Sequence, residues 1–470
     1  MERHSTVSTP AERVPGHGER ATGDRRARII VWCVWLGMLL FLLWSFARVA
    51  SPIPLAEDWL YVPALTGHEP DLARWLWAQN NEHRMPVARL LLLATLNAAG
   101  GDFRAGGLLN LMLLALGAAA LIVFVRRVRG RAETADAFFP LLLLHFGHSN
   151  QVLFPNQIMF VLSIGLVVLL GCVLFAPGSL THPPGACGAG MALLLLPLSG
   201  FIGLFFLPPL AAFLLYAGIS CRRGWRGWPR KPWLGLWLIA SCAGGSAIAA
   251  LYFVGYEHPW WNPPSPGIAP SMRTALKVLS LAFGPAAELW WRPAVAAVGL
   301  VVASSLWMGA HRVARQSGAA RDYALGAVLF LALSAIFALV VGWGRAGYVP
   351  QFGIPIRYIV LALPVSIASY LTWAAWPSRA GRTGTRCLAI AMLLLLPLNN
   401  IAGYRFFAHW YQDGMSQVHA DIHQGVPIDE VAARHQRFLV HWWTPGELAR
   451  HMRMLRDAGI APFDRAAGTR

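Results

Sequence analysis

The chain has 470 residues, 56% hydrophobic and only 13% charged, with a formal net charge of +17. Apolar stretches of about 20 residues recur from end to end, which excludes an ordinary water-soluble core. The arginines sit in short clusters between those stretches instead of along one amphipathic face, which argues against nucleic acid as a partner and marks them as cytoplasmic anchors.

Taken in chain order, residues 1–28 are rich in Arg, Glu, Gly, Thr and Ser and read as a disordered basic cytoplasmic tail. Eleven spans are then predicted over a transmembrane domain, 29–403: 29–50, 104–125, 134–149, 157–176, 187–199, 201–219, 233–254, 294–310, 323–342, 357–376 and 386–403. This register places five basic clusters on one side: Arg25, Arg26 and Arg28; Arg126 to Arg131; Arg222 to Lys231; Arg312 to Arg321; and Arg379 to Arg386. The run 185–220 is drawn as two short helices broken near Ser199-Gly200, because one long helix would put the Arg222 cluster outside. Segment 86–98 is apolar but too short to cross, which suits a re-entrant or interfacial helix. Arg48 spoils a signal-peptidase site after the first span, so that span stays as an anchor. The six cysteines lie in or beside spans with no C-x-x-C, so no disulfide framework or thiolate zinc site is expected.

Three larger external segments remain: 51–103, 255–293 and a small helical cap, 404–470, with a shorter loop from Trp343 to Ile356. The first holds six of the 22 carboxylates, including the pair Glu57-Asp58, which is followed within the same segment by Asn80-Asn81-Glu82-His83-Arg84-Met85-Pro86. Thr444-Pro445-Gly446-Glu447 is a capping-box pattern with Pro at the first helical position and predicts a helix from 445 to about 458. Gly342 to Gly347 spells G-x-G-x-x-G, but the following Tyr348-Val349-Pro350 does not open a helix, so no dinucleotide fold is read there. His419 and His423 are four residues apart without a third ligand, which favours solvated surface over metal.

From Ala56 to Gly130 the order is acidic pair and aromatic, Trp-rich helix, His83-Arg84-Met85-Pro86, short apolar helix, Gly100-Gly101-Asp102-Phe103-Arg104, then a span ending in Arg126-Arg127-Val128-Arg129-Gly130. This order resembles the first external loop of the GT-C superfamily of integral-membrane glycosyltransferases, such as the aminoarabinose and protein mannosyl transferases. The pair reads Glu-Asp where those enzymes have Asp or Asp-Glu, and Arg-Met-Pro stands where relatives often have Lys-Pro-Pro. The resemblance implies a polytopic GT-C-like helical bundle in a bacterial cytoplasmic membrane, N-terminus inside and C-terminus outside. It also implies transfer of a sugar from a polyprenyl-phosphate donor to a glycan, lipid or protein acceptor on the external face.

An inverting transfer needs a carboxylate to take the acceptor proton and a cation to stabilise the departing phosphate. Asp58 is the expected base, with Glu57 as alternative base or orienting neighbour; the pair also admits a divalent metal. Arg84, His83, Arg345 and Arg357 are candidates for the donor phosphate, because guanidinium forms paired charge-assisted bonds to phosphate; the competing reading is snorkelling towards headgroups. Glu82, Trp59, His258 and Glu288 are candidates for sugar or acceptor binding, against a competing role for the tryptophan-rich segments as an interfacial aromatic belt. Two other classes stay open: a lipid or solute transporter or flippase, and a noncatalytic scaffold.

Overall fold

Nine helices among the described residues are long and apolar enough to cross a membrane. They are Thr22–Val49, Arg104–Arg129, Pro155–Phe175, Phe201–Arg223, Pro232–Tyr252, Trp291–Arg315, Gly318–Gly344, Ile356–Ala374 and Arg379–His423. The structure, a computed structural model, describes residues 17–465 apart from 260, 350–355 and 377, and the regular secondary structure of those residues is helical, with no strands. The most apolar windows of Pro155–Phe175 and Ile356–Ala374 are 78% and 83% buried, against 22% for Trp291–Arg315, so these two helices form the axis and the others surround it. Leu116, Leu300 and Leu394 project outward at 64–73% exposure from the surrounding helices, as expected of faces solvated by lipid.

The other two expected spans take different forms. Residues 134–153 form a series of short helices, Thr134–Ala137, Phe138–Leu143, Phe146–His148 and Ser149–Leu153, and not one rod. The segment nevertheless runs the length of the bundle. Asp136 pairs with Arg129 at one end, and Asn156 meets Asp58 at the other. The expected 187–199 segment is the short helix Pro183–Leu195 and a 3-10 turn, ended by Gly200, whose φ of 131° only glycine adopts readily. The break therefore falls at Ser199-Gly200. The last expected span does not stop at residue 403, because a π turn, Tyr404–Ala408, carries the helix on to His423. Outside the long helices, Pro86–Ala98 and the capped helix Pro445–Asp457 occur as the sequence predicts, the latter with reciprocal Thr444 and Glu447 bonds.

All five basic clusters gather at one end of the bundle. Asp24, paired with Arg28, accepts from Ala132 N, and Arg129 Nη2 meets Asp136. Tyr370 donates to Asp136, Arg312 donates to Ala375 O, Trp228 donates to Asp322, and Gly318 abuts Arg226 O. The acidic first loop lies at the opposite end, 26 helical residues away along Arg104–Arg129.

Candidate functional site

The first loop is built from two tight turns, each opened by a residue in the left-handed region. Ala56 (φ 50°) precedes Glu57, and Asn81 (φ 49°) precedes Glu82. Asn tolerates this conformation, whereas Ala pays roughly 1 kcal/mol for it. Such strain persists only where the surroundings hold it, and at functional sites it often aims a side chain.

Asp58 is the residue that holds the first turn. Its Oδ2 accepts from Leu55 N at 3.2 Å, closing the 3-10 turn Ala56–Tyr61, and its Oδ1 accepts from Asn156 N at 2.9 Å. The side chain is fully buried. Burial lifts its carboxyl well above the usual carboxylate range, and the two amide bonds oppose that rise. Glu57, one residue earlier, is half-buried and lies within the field of Arg357.

The second turn brings Glu82 into an ion pair with Arg345, and the Glu82 carbonyl accepts from Tyr252 Oη at 2.7 Å. His83 Nδ1 accepts from Phe201 N at 3.2 Å, so Nε2 carries the proton and lies 3.6 Å from Glu82 Oε1. Burial, aided by the nearby Arg357 charge, lowers the His83 value to about 4 and keeps the ring neutral. Arg345 also lies over the Tyr348 ring, while Tyr348 donates to Asn262. Arg357, at the mouth of the central Ile356–Ala374 helix, lies over Tyr358 and has no ion pair among the described residues. Its buried Nε has no hydrogen-bond partner there. Glu57, Glu82, His83, Arg345 and Arg357 thus share one end of the bundle, and Arg357 is the cation with unused donor capacity.

The remaining candidates are placed differently. Arg84 is consumed by the fold: its guanidinium donates to Trp77 O, Val254 O and Gly255 O at 3.3, 3.0 and 2.8 Å, tying the first loop to the 252–257 segment. Trp59 is fully buried edge-on to Phe463, which leaves no face for a sugar. His258 is exposed beside Glu257, whose backbone exchanges hydrogen bonds with the Gln79 side chain. Glu288 is half-buried in the turn before Trp291–Arg315, with a carboxyl raised by burial and eased by Lys277. No hydrogen bond or ion pair joins it to Glu57 or Arg357 among the described residues. Among the described residues no group of three or more His, Cys, Asp or Glu could hold a metal.

Sequence reasoning missed the polar interior of the discontinuous crossing. His145 and His148 stack at 4.6 Å, fully buried; neither His145 ring nitrogen is partnered, and Asn150 Oδ1, Gln151 Oε1 and Gln157 Oε1 are also without partners. Gln151 Nε2 donates to Arg357 O at 2.7 Å, connecting this interior to the site. The signal was present as a polar run, His145 to Gln157, inside an apolar stretch. Neither a family model, nor a curated protein, nor a solved structure matches the chain.

Proposed function

We propose that the protein is a membrane glycosyltransferase in which Glu57 is the general base and Arg357 receives the donor phosphate. The observation that supports this reading is a half-buried carboxylate, Glu57, within the electrostatic field of a guanidinium, Arg357, that has no ion pair among the described residues, at the end opposite the basic clusters. The clusters favour a cytoplasmic side for their own end and an external side for this one. There the donor is a polyprenyl-phosphate sugar, whose tail stays in lipid. Glu57 takes the acceptor hydroxyl proton as the acceptor oxygen bonds to the anomeric carbon. The bond from that carbon to the phosphate oxygen breaks, its electron pair leaves with the polyprenyl phosphate, and Arg357 stabilises that charge. The resemblance in residues 56–130 puts the base at Asp58; the amides that occupy both Asp58 oxygens move it to Glu57 and give Asp58 the task of fixing the turn. Glu82 and Arg345 orient the substrate rim.

The buried polar crossing favours a second reading, transport of a lipid-linked solute, because discontinuous helices with free polar groups build substrate sites in transporters. Lipid extracts and envelope glycans of a deletion strain separate the two. The enzyme reading expects a lipid-linked sugar to accumulate while one glycan mass disappears, with restoration by wild type and none by Arg357→Gln. Accumulation of a donor confined to the inner leaflet would support transport instead.

A further inference from the structure

The end of the bundle opposite Glu57 contains a cavity of about 320 Å³ that the proposed reaction does not use. It lies among the Arg129 to Glu133 turn, the last turn of the Ile356–Ala374 helix and the first turn of Arg379–Gly403. That volume falls in the range of small-ligand sites. Gly381 and Gly384 let the Arg379–Gly403 helix ride directly on Trp373, which fixes the indole in the cavity wall.

Most charges around it are satisfied internally. Arg129 is held by both Asp136 oxygens at 2.6 Å, and Arg131 meets Glu133 Oε1 at 2.8 Å. Three groups keep hydrogen-bonding capacity. Arg382 has no ion pair or side-chain hydrogen bond among the described residues. Trp373 Nε1 is a buried donor without an acceptor, and Glu133 Oε2, which faces Arg129 Nη1 at 3.4 Å in an ion pair, accepts no hydrogen bond and keeps acceptor capacity. Arg382 also sits in the first turn of a 25-residue helix, where the backbone dipole favours an anion. A cation and an N–H beside a carboxylate oxygen that still has acceptor capacity match a ligand that is anionic at one end and bears a hydroxyl at the other.

We infer that this cavity binds a hydroxyl-bearing phosphate ester, with Arg382 and Trp373 Nε1 on the phosphate and Glu133 Oε2 accepting from the hydroxyl. The same chemistry comes from a phosphatidylglycerol headgroup at the membrane face or from a soluble glycerol phosphate. A basic pocket between helix ends is a recurrent way to hold an acidic lipid headgroup.

The test uses the full chain, purified and delipidated in detergent. One arm titrates phosphatidylglycerol against phosphatidylcholine by native mass spectrometry; the other titrates glycerol 3-phosphate by tryptophan fluorescence. Binding in either arm that Arg382→Gln and Trp373→Phe each weaken by about tenfold, the scale of one charge-assisted bond, supports the site and names its source. Arg382→Lys should recover part of the loss, and unchanged thermal unfolding of the variants separates lost binding from lost fold. Wild-type affinity in Arg382→Gln, equal retention of phosphatidylcholine, or no binding in both arms would overturn the inference.

Discussion

Glu57 and Asp58 are neighbours whose surroundings push them towards different tasks, and this separation makes the residue scale testable. Replacing a general base typically costs 10²- to 10⁴-fold in rate, so Glu57→Gln should lower turnover by about that factor with an unchanged melting temperature. Asp58→Asn keeps one acceptor but leaves Leu55 N or Asn156 N unpaired. It should cost roughly 1–3 kcal/mol in stability while the folded fraction still turns over. Both follow from one thermal scan beside one activity assay. His83 adds a pH dependence. Its folded value of about 4 lies below the unfolded value of about 6.5, so the unfolded chain binds the proton first as the medium acidifies. Its stability contribution is intact above pH 6.5 and is lost as pH falls towards 4, a loss of about 3 kcal/mol. The melting temperature should fall over that window, and His83→Gln should flatten the slope.

At the scale of elements, what could be read in advance was whatever depends on local chemistry. The capping box at Thr444 and Glu447 starts the Pro445–Asp457 helix, proline opens Pro86–Ala98, and Gly200 breaks the chain where a left-handed φ is needed. The acidic pair was visible, but which member faces outward depends on Asn156, 98 residues away, and composition carries no trace of that contact. The discontinuous crossing was hidden for a similar reason, since its partners are remote. Phe146 N donates to Asn400, and Ser149 Oγ donates to Gly403 O just before the π turn. Gly403 is the point of closest approach, because a Cβ there would overlap the Phe146 carbonyl backbone, which cannot move aside as a side chain can. Gly403→Ala should therefore destabilise by ~1–3 kcal/mol, read as a lower midpoint in thermal unfolding with loss of the ordered end of the crossing. Thr444→Ala, by contrast, removes an exposed cap and should cost only about 1 kcal/mol.

At the scale of the whole molecule, charge and apolarity sort along one axis. Arginine clusters occupy one end, the strained acidic turns the other, and apolar faces the length between. The cluster spacing in sequence predicts this sorting, and the contacts joining Asp24, Arg129, Asp136, Tyr370 and Arg312 place the clusters together in space. The chemistry assigned to the acidic end rests on Glu57. Glycan and lipid mass spectrometry across a deletion strain complemented with wild type, Glu57→Gln or Asp58→Asn tests it most directly, with protein levels matched by immunoblot. The account predicts that wild type and, in proportion to its folded amount, Asp58→Asn restore the missing product while Glu57→Gln does not. Full restoration by Glu57→Gln would contradict it.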